Sequence, residues 1–268
     1  MTVARQMQDV RRMATLTGNS VDRDARLQQL YLERLEQQHS RRVAREIRRA
    51  MKDGARAVRA GASPGYGKPE HVQRMRAIMN DLWAASAKVF AEHILGAEKA
   101  GRGPGHIKRA RFQVPATIIT DTVMRDWVRT YGIEKITNIA DTTYRDIESI
   151  VTQGIQDGLS ERQIGKLIDA VAPTKSASRA QTIARTETHA AAMASAQASA
   201  EATGIEMVRE WVASGGERTR EAHDAASGQV VGMNEPFIVD GEELMYPGDP
   251  NGSAANVVNC RCNLVFVL

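Results

Sequence analysis

The residues best suited to chemistry in this 268-residue chain are its two cysteines, Cys260 and Cys262, which stand two positions apart. If they lie on a β-strand, both thiols point to the same face, because side chains alternate along a strand. Two thiolates on one face can bind one metal ion, and zinc favours thiolate together with imidazole. The strongest further ligand in the same region is His223. The spacing therefore suggests a zinc site made of Cys260, Cys262 and His223.

Other interpretations of the cysteines stay open. Buried free cysteines often serve as small apolar core residues, and that role needs no metal. A disulfide between positions two apart would be strained. A redox role is not favoured, because C-x-C lacks the helix N-terminus that lowers a thiol pKa. Carboxylates that stand in the same region, and so are candidates for further ligands, are Glu217, Asp224 and Asp249.

A run of arginines early in the chain is suited to binding an anion. Residues 1–120 carry 23 Lys and Arg against 11 Asp and Glu, a net charge of +12, whereas residues 121–268 carry 13 against 21, a net of −8. Double-stranded DNA is a partner that such a charge favours. The alternatives are a protein-docking surface and the solvated face of a bundle helix. The candidate DNA-binding residues are Arg41, Arg42, Arg45, Arg48 and Arg49.

The elements that must position these residues are predicted from apolar periodicity and from turn residues. Spacings of three and four indicate helices, and Pro173 is interpreted as a helix break and a boundary. Ser160 and Gln163 form a capping box at one helix start. The predicted helices cover 22–60, 70–99, 116–131, 141–156, a stretch from 160, and 176–203.

Short strands are predicted beyond the glycine at position 204, where the period changes. Residues 208–212 and 264–268 form two of them, and Asp240-Gly241 marks the turn of a hairpin. The predicted fold class is therefore α+β, with a mostly helical N-terminal portion followed by a small C-terminal α+β module. The predicted domains are a basic helical arm (1–60), a helical region with a Gly/Pro linker at 101–105 (61–172), and the module (173–268).

Composition excludes several classes of protein. No apolar run reaches the roughly 20 residues that span a bilayer, so no membrane partner is expected. The N-terminal segment lacks the apolar core of a secretory signal. Two cysteines are too few for a disulfide framework, which favours the cytoplasm of the producing cell. Nucleotide loops, nucleophile elbows and HExxH motifs are absent from the sequence, which argues against an enzyme.

Several separated motifs in the second half resemble those of one known family. They are an Ala-rich helix with Arg185 and Glu187, a strand with Trp211, a segment with Arg218, Arg220 and His223, a YPGDP turn with Asp249, and the C-terminal NCRC at 259–262. Together they are similar to the phage head morphogenesis, or Mu F-like, family of minor head proteins, over roughly residues 160–268. Glu217 stands where the family usually has Asp.

The resemblance implies a structural virion protein of a tailed bacteriophage that acts in head morphogenesis at the portal vertex. It implies the portal protein and the major capsid or scaffold protein as partners, a place in the capsid interior or at the portal, and no catalytic residues. The motif residues are expected to be structural. The histidine and the cysteines recur together in the family, which strengthens the zinc hypothesis, with a hydrogen-bonded cluster as its alternative. The competing function is a metal-dependent enzyme carried in the virion, a nuclease or a nucleotide-transferring one.

Overall fold

A computed structural model describes residues 20–99 and 116–267 of the chain. Within these ranges most residues are helical, and five short strands lie in the C-terminal part, so the predicted α+β class is confirmed. The helices are α1 (Ser20–Arg59), α2 (Lys68–Lys99), α3 (Ala116–Trp127), α4 (Ile133–Gln156), α5 (Glu161–Glu201), α6 (Glu221–Ala225) and α7 (Ala254–Val257). The strands are β1 (Val208–Val212), β2 (Val230–Gly232), β3 (Phe237–Val239), β4 (Glu242–Leu244) and β5 (Asn263–Val267). No helix in the described ranges has the length and apolar content that a membrane span requires.

Two predicted helix breaks are wrong. The gap between the helices predicted at 116–131 and 141–156 is helical, because a π-helical turn, Val128–Gly132, leads directly into α4, which begins at Ile133. The break predicted at Pro173 is absent, because Pro173 lies inside α5. A proline inside a helix costs roughly 3 kcal/mol. Buried residues on both sides, Ile168 and Ala180, hold the helix through this position, so packing outweighs local propensity.

The described chain divides into two compact units that are each assembled from separate segments. Unit 1 contains the described parts of 1–36, 83–126 and 185–268, and unit 2 contains 37–82 and 127–184. The three domains at 1–60, 61–172 and 173–268 stay a prediction. The linker at 101–105 and residues 1–19 of the predicted arm lie outside the described residues.

Unit 1 contains both sheets. The strands β2, β1 and β5 form an antiparallel sheet in that order, and Trp211 of β1 pairs with Leu264 of β5. The strands β3 and β4 form the predicted hairpin. Asp240 and Gly241 in its turn have φ of 52° and 75°, the left-handed conformation that Asp-Gly adopts readily.

The core of unit 1 lies between this sheet and the helices. Alanines of α5, such as Ala192 and Ala196, pack against the buried rings of Trp211 and Phe237. The first half of α1 contributes Tyr31, Leu32 and Leu35 to the same cluster. The side-chain amide of Gln28 also donates to the Leu264 carbonyl at 2.9 Å, which covers the outer edge of β5. The start of α1 is therefore part of the core that holds the C-terminal strands.

Unit 2 is a helical unit in which small residues allow close approach. A Cβ added at Gly154 would lie 2.6 Å from Ile164, and one at Gly165 would lie 2.7 Å from Arg59 and 3.0 Å from the Ala55 carbonyl. Larger side chains at either glycine would force the helices apart. Ion pairs at the surface, such as Arg59 with Asp169, add little to stability.

His39 of α1, in unit 2, is a buried histidine without a hydrogen-bond partner on either ring nitrogen among the described residues. Burial, assisted by the nearby charge of Arg42, lowers its pKa from 6.5 to about 4. The folded protein therefore keeps His39 neutral down to about pH 4, while the unfolded chain takes up a proton below about pH 6.5. The unfolded chain is therefore stabilised by protonation, and the free energy of unfolding falls as the pH decreases from about 6.5 to about 4.

We expect His39→Leu to raise the free energy of unfolding by about 1 kcal/mol at pH 7, because two unpaired buried nitrogens are removed. Between about pH 6.5 and pH 4, the stability of the variant should also decline less than that of the wild type. Urea unfolding at several pH values measures both effects. His93→Leu is the control, because the Nε2 of His93 bonds to Asp24 at 2.7 Å and the same change should destabilise. An unchanged pH slope in His39→Leu would contradict the prediction.

Candidate metal centre and the surrounding motif

The structure brings His223, Cys260 and Cys262 together in unit 1. Their ligand atoms all lie within 4.8 Å of one another, and all three residues are buried. The Nδ1 of His223 lies 3.3 Å from the Cys262 Sγ and 3.7 Å from the Cys260 Sγ. The three residues predicted as ligands therefore converge on one point.

The cysteines reach this position by a different route from the one predicted. They lie in an irregular segment between α7 and β5, not on a strand. Asn259, just before them, adopts the left-handed conformation with φ of 59°, which turns the chain out of α7. His223 is held from the other side by α6, and its ring meets the ring of Trp211 edge-on at 5.6 Å.

The two thiols have opposite pKa shifts. A hydrogen bond from the Cys260 thiol, together with one from His223, holds the pKa of Cys262 below its usual range despite burial. The same bond keeps Cys260 protonated, and with burial it raises the pKa of that thiol. One thiolate is therefore stabilised beside one thiol, and a thiolate is the form that binds a metal.

The three donors of the cluster are of the types, and at the separations, that zinc binds, and tetrahedral zinc would need a fourth ligand in addition. Bonds of about 2.3 Å to sulfur and about 2.05 Å to nitrogen at tetrahedral angles separate the two donor atoms by about 3.6 Å. The observed sulfur–nitrogen distances of 3.3 and 3.7 Å lie on either side of that value. The Nε2 of His223 lies 3.3 Å from the Asn256 Oδ1. The Asn256 Oδ1 accepts from this nitrogen, which is the kind of outer contact that orients a metal-bound histidine. Binding of a metal would replace the hydrogen bond between Nδ1 and the Cys262 sulfur.

The contacts that run from Cys262 to His223 and on to Asn256 also resemble a catalytic triad. In such a triad a thiol is the nucleophile, a histidine is its base and an amide orients the histidine. Cys262 is only 1% exposed, however, and His223 is 2% exposed. The cavity that Cys260 lines has a volume of about 10 Å³, which is room for about one water molecule. A substrate does not reach sulfurs enclosed in this way, so the arrangement is suited to a structural role.

The carboxylates considered as further ligands lie elsewhere. Asp249 is buried, but its two oxygens accept from the backbone amides of Met245 and Asn251 at 2.9 and 3.0 Å. Glu217 and Asp224 are exposed. Among the described residues, the group of possible metal ligands contains only the histidine and the two cysteines.

Arg185 and Glu187 of α5 connect the helix to its surroundings within unit 1. Arg185 forms a bidentate ion pair with Glu36, at 2.7 and 3.1 Å, and donates to the Asn259 Oδ1 at 3.0 Å. Glu187 accepts a hydrogen bond from the Trp83 indole at 3.1 Å. Since Asn259 directly precedes the first cysteine, Arg185 fixes the segment that carries the cluster.

The arginines of the RTR segment differ from each other. Arg220 donates to the Val258 carbonyl, close to the cysteines. Arg218 is exposed. The segment thus ties α6 to the loop before the cysteines through one residue, Arg220.

These motif residues and their order agree with a match over residues 145–265 to the family described as Phage Mu protein F like protein. Residues 145–265 are similar to that family. We refer to residues 145–265 as the Mu F-like segment. The family supports a structural role in phage head morphogenesis and a place in the virion.

The Mu F-like segment lies in a chain that also has similarity to individual proteins. Minor head protein GP7 of Bacillus phage SPP1 is 31% identical over 139 residues, which cover 51% of this chain and 42% of that protein. The uncharacterized protein YqbB of Bacillus subtilis is 29% identical over 156 residues, or 57% of this chain and 50% of the relative. The NAD(+)–arginine ADP-ribosyltransferase EFV of Enterococcus faecalis is 27% identical over 131 residues, or 48% and 26%. The chain thus spans half or less of the length of these relatives. No solved structure matches it.

Two functional residues of the Mu F-like segment were missed in the sequence. Arg209 of β1 is fully buried and donates to the carbonyls of Gly232, Glu235 and Met245. Its guanidinium also lies 5.3 Å from the centre of the Phe237 ring. A charged side chain is normally assigned to solvent. Alternation along β1, however, places Arg209 on the same face as the buried Trp211, and this was the one signal of its burial in the sequence.

Gln229, the second missed residue, joins the two sheets. Its side-chain amide accepts from the Ile238 backbone N–H at 2.7 Å and donates to the Ile238 carbonyl at 3.2 Å. The side chain therefore pairs with β3 as a neighbouring strand would. Gln229 thus acts as a bridge between the two sheets.

Proposed function

We propose that this chain is a structural minor head protein that acts in capsid assembly at the portal vertex. The similarity to the Mu F-like family and to a minor head protein supports head morphogenesis in general. The observation that carries the structural role is that Arg185, Glu187, His223 and the two cysteines are used in contacts with one another and with neighbouring elements. These residues hold the segment together and do not line an open cleft.

The competing function, a metal-dependent nuclease or nucleotide-transferring enzyme, is less well supported. The ADP-ribosyltransferase relative shares only 26% of its own length with this chain, so its activity is not carried over. The carboxylate of Glu187 accepts from a buried indole, and His223 is enclosed. A catalytic base would need access to a substrate.

The test of the proposed function is the composition of purified heads. We expect the chain in virions, and a tagged copy should purify with the portal protein in preference to the major capsid and scaffold proteins. Omission of the chain should lower the yield of infectious particles. Absence of the chain from purified heads would overturn the proposal. Co-purification with the scaffold protein alone would contradict the location at the portal.

A variant pair separates structure from catalysis. Glu187→Gln keeps an acceptor for the Trp83 indole, so infectivity should fall only in proportion to any loss of stability. Met193→Leu, a volume-conserving change in the same core, is the matched control. If Glu187→Gln folds with unchanged stability and still abolishes infectivity, the carboxylate has a catalytic role.

We further propose that His223, Cys260 and Cys262 hold zinc. The donor distances and the orienting contact from Asn256 support this assignment. The ion would supply a fixed crosslink between α6 and the segment before β5. Elemental analysis of protein purified without chelators should find about one zinc per chain.

The basic surface of α1 is proposed to bind duplex DNA. Three of the five candidate arginines, Arg41, Arg45 and Arg49, are exposed and lie one turn apart on α1, without a partner among the described residues. The other two are partly engaged: Arg42 pairs with Asp81 at 2.6 Å, and the Arg48 Nε lies 3.4 Å from the Ser176 hydroxyl.

We expect the full chain to bind duplex DNA without sequence preference and more weakly as salt rises. Changing Arg41, Arg45 and Arg49 together to Glu should lower the slope of log affinity against log salt by about 3, because each phosphate contact contributes about 0.9. Fluorescence anisotropy at several salt concentrations measures this slope.

The matched control reverses three exposed cations elsewhere in unit 2, Arg76, Arg162 and Lys166. This control variant changes the net charge by the same amount as the first. An equal decrease in the salt slope would therefore indicate only long-range attraction between the chain and DNA. If the unmodified chain does not bind DNA at low salt, the surface is a protein-docking or plain solvated face.

A further inference from the structure

A groove in unit 1, apart from the metal cluster and the basic surface, has the character of a docking site. It lies between the start of α1 and the paired ends of β1 and β5, and it has a volume of about 600 Å³. That size falls within the range of roughly 300–1,000 Å³ typical of sites that enclose a ligand. Residues that line it include Leu30, Glu33, Val212, Ala213 and Asn263.

The groove contains hydrogen-bond acceptors that the described residues leave unused. The Oδ1 of Asn263 is buried without a partner, and Asn263 as a whole is only 3% exposed. The Oε1 of Gln29, another lining residue, is also buried and unpaired. A buried acceptor without a partner costs roughly 1–3 kcal/mol, so a ligand that donates to both oxygens would be stabilised.

The charge of the groove favours a cation. Asp22 and Arg26 line it one helical turn apart, and opposite charges at that spacing offset each other. Glu33 remains, and among the described residues its carboxylate has one long contact, 3.5 Å, from the neutral amide of Gln29. The two amide oxygens belong to side chains of the groove wall and are covered, so a ligand reaches them when those side chains rotate. A ligand that brings donors and positive charge is therefore favoured over a phosphate.

We propose that this groove binds an arginine side chain of a partner polypeptide. A guanidinium has five N–H donors and no acceptor, which matches a carboxylate beside two amide oxygens. The apolar lining of Leu30, Val212 and Ala213 suits the aliphatic stem and the neighbouring residues of such a segment. The site is independent of the proposed zinc and DNA contacts, and it provides the chain with a protein-binding surface.

The experiment uses the full ¹⁵N-labelled chain and two blocked pentapeptides, Ala-Val-Arg-Val-Ala and its citrulline counterpart, which has the same shape without the charge. The arginine peptide should shift the side-chain amide signals of Gln29 and Asn263. Its affinity should exceed that of the citrulline peptide by about tenfold or more, because charge-assisted hydrogen bonds are lost with the charge.

Variants at the exposed surface make the test specific. Glu33→Gln should lower the affinity for the arginine peptide about tenfold, while Glu92→Gln, an exposed glutamate of unit 1 outside the groove, should not. Equal binding of both peptides, or no shift at millimolar peptide, would overturn the proposal. Shifts produced by spermidine and not by the arginine peptide would assign the groove to a small polyamine and overturn it as well.

Discussion

Cys262→Ser is expected to abolish binding of zinc and to lower the melting temperature by about 10 °C or more. The sulfur of Cys262 lies 3.3 Å from the Nδ1 of His223 and belongs to the residue whose pKa is held low. Serine removes the thiolate but keeps the size of the side chain, so lost packing contributes little. The decrease in melting temperature therefore measures the stabilisation contributed by the bound ion and by the hydrogen bonds of the sulfur.

A chelator separates these two contributions. Wild-type protein should lose stability when the chelator is added, and Cys262→Ser should not respond further. Met193→Leu, which changes a core residue of the same cluster without touching a ligand, should retain both the zinc and the chelator response. If wild-type protein contains no metal and keeps its melting temperature with chelator, the cysteines act as buried thiols in a hydrogen-bonded cluster.

Arg209→Lys is expected to lower the free energy of unfolding by about 3–5 kcal/mol. The guanidinium of Arg209 donates to the Gly232 carbonyl at 2.8 and 3.1 Å and to the Gln197 side chain at 3.1 Å. It also donates to the carbonyls of Glu235 and Met245. Lysine presents three donors from one point, so it leaves several buried carbonyls unpaired. Burial also lowers the pKa of Arg209, and a buried lysine would lose its charge far more readily.

Urea unfolding of the full chain measures this effect. Arg220→Lys is the matched control, because Arg220 makes one described backbone bond, to Val258, and is only half-buried. We expect it to cost about 1 kcal/mol. A loss below about 1 kcal/mol in Arg209→Lys would mean that a lysine satisfies the same carbonyls, and the central place of Arg209 in the fold would be refuted.

Much of the fold is predictable because its signals are local. The period of apolar residues in α1 depends only on neighbours along one helix, and the structure begins and ends it within two residues of the predicted 22–60. The Asp240-Gly241 turn is readable for the same reason, since its conformation depends on two adjacent residues. Half of the capping box at Ser160 is present as well, since the Gln163 side chain accepts from the Ser160 amide at 2.9 Å. The Ser160 hydroxyl donates to the same side-chain oxygen at 2.6 Å and accepts from no backbone amide of the described residues.

Local signals fail where distant packing outweighs them. Pro173 has a strong local tendency to end a helix, yet buried side chains on both sides hold α5 together. A charged side chain such as that of Arg209 has a strong general tendency to face solvent, yet its guanidinium is buried against carbonyls that lie 23 to 36 positions later in the chain. Nothing in the neighbouring sequence of either residue records those contacts.

The sequence by itself determined the strongest candidates for the metal centre, Cys260, Cys262 and His223, because C-x-C stands in the same module as one strong candidate histidine, but it left the carboxylates of that module open as further ligands. Only the tertiary structure decided how the three residues meet. The Arg185 guanidinium, clamped by Glu36 from 149 positions earlier, fixes Asn259 and so the cysteine segment. Such pairs form only after folding brings separate elements together, since the entropy of closing so long a loop is recovered by the whole core and not by any one contact.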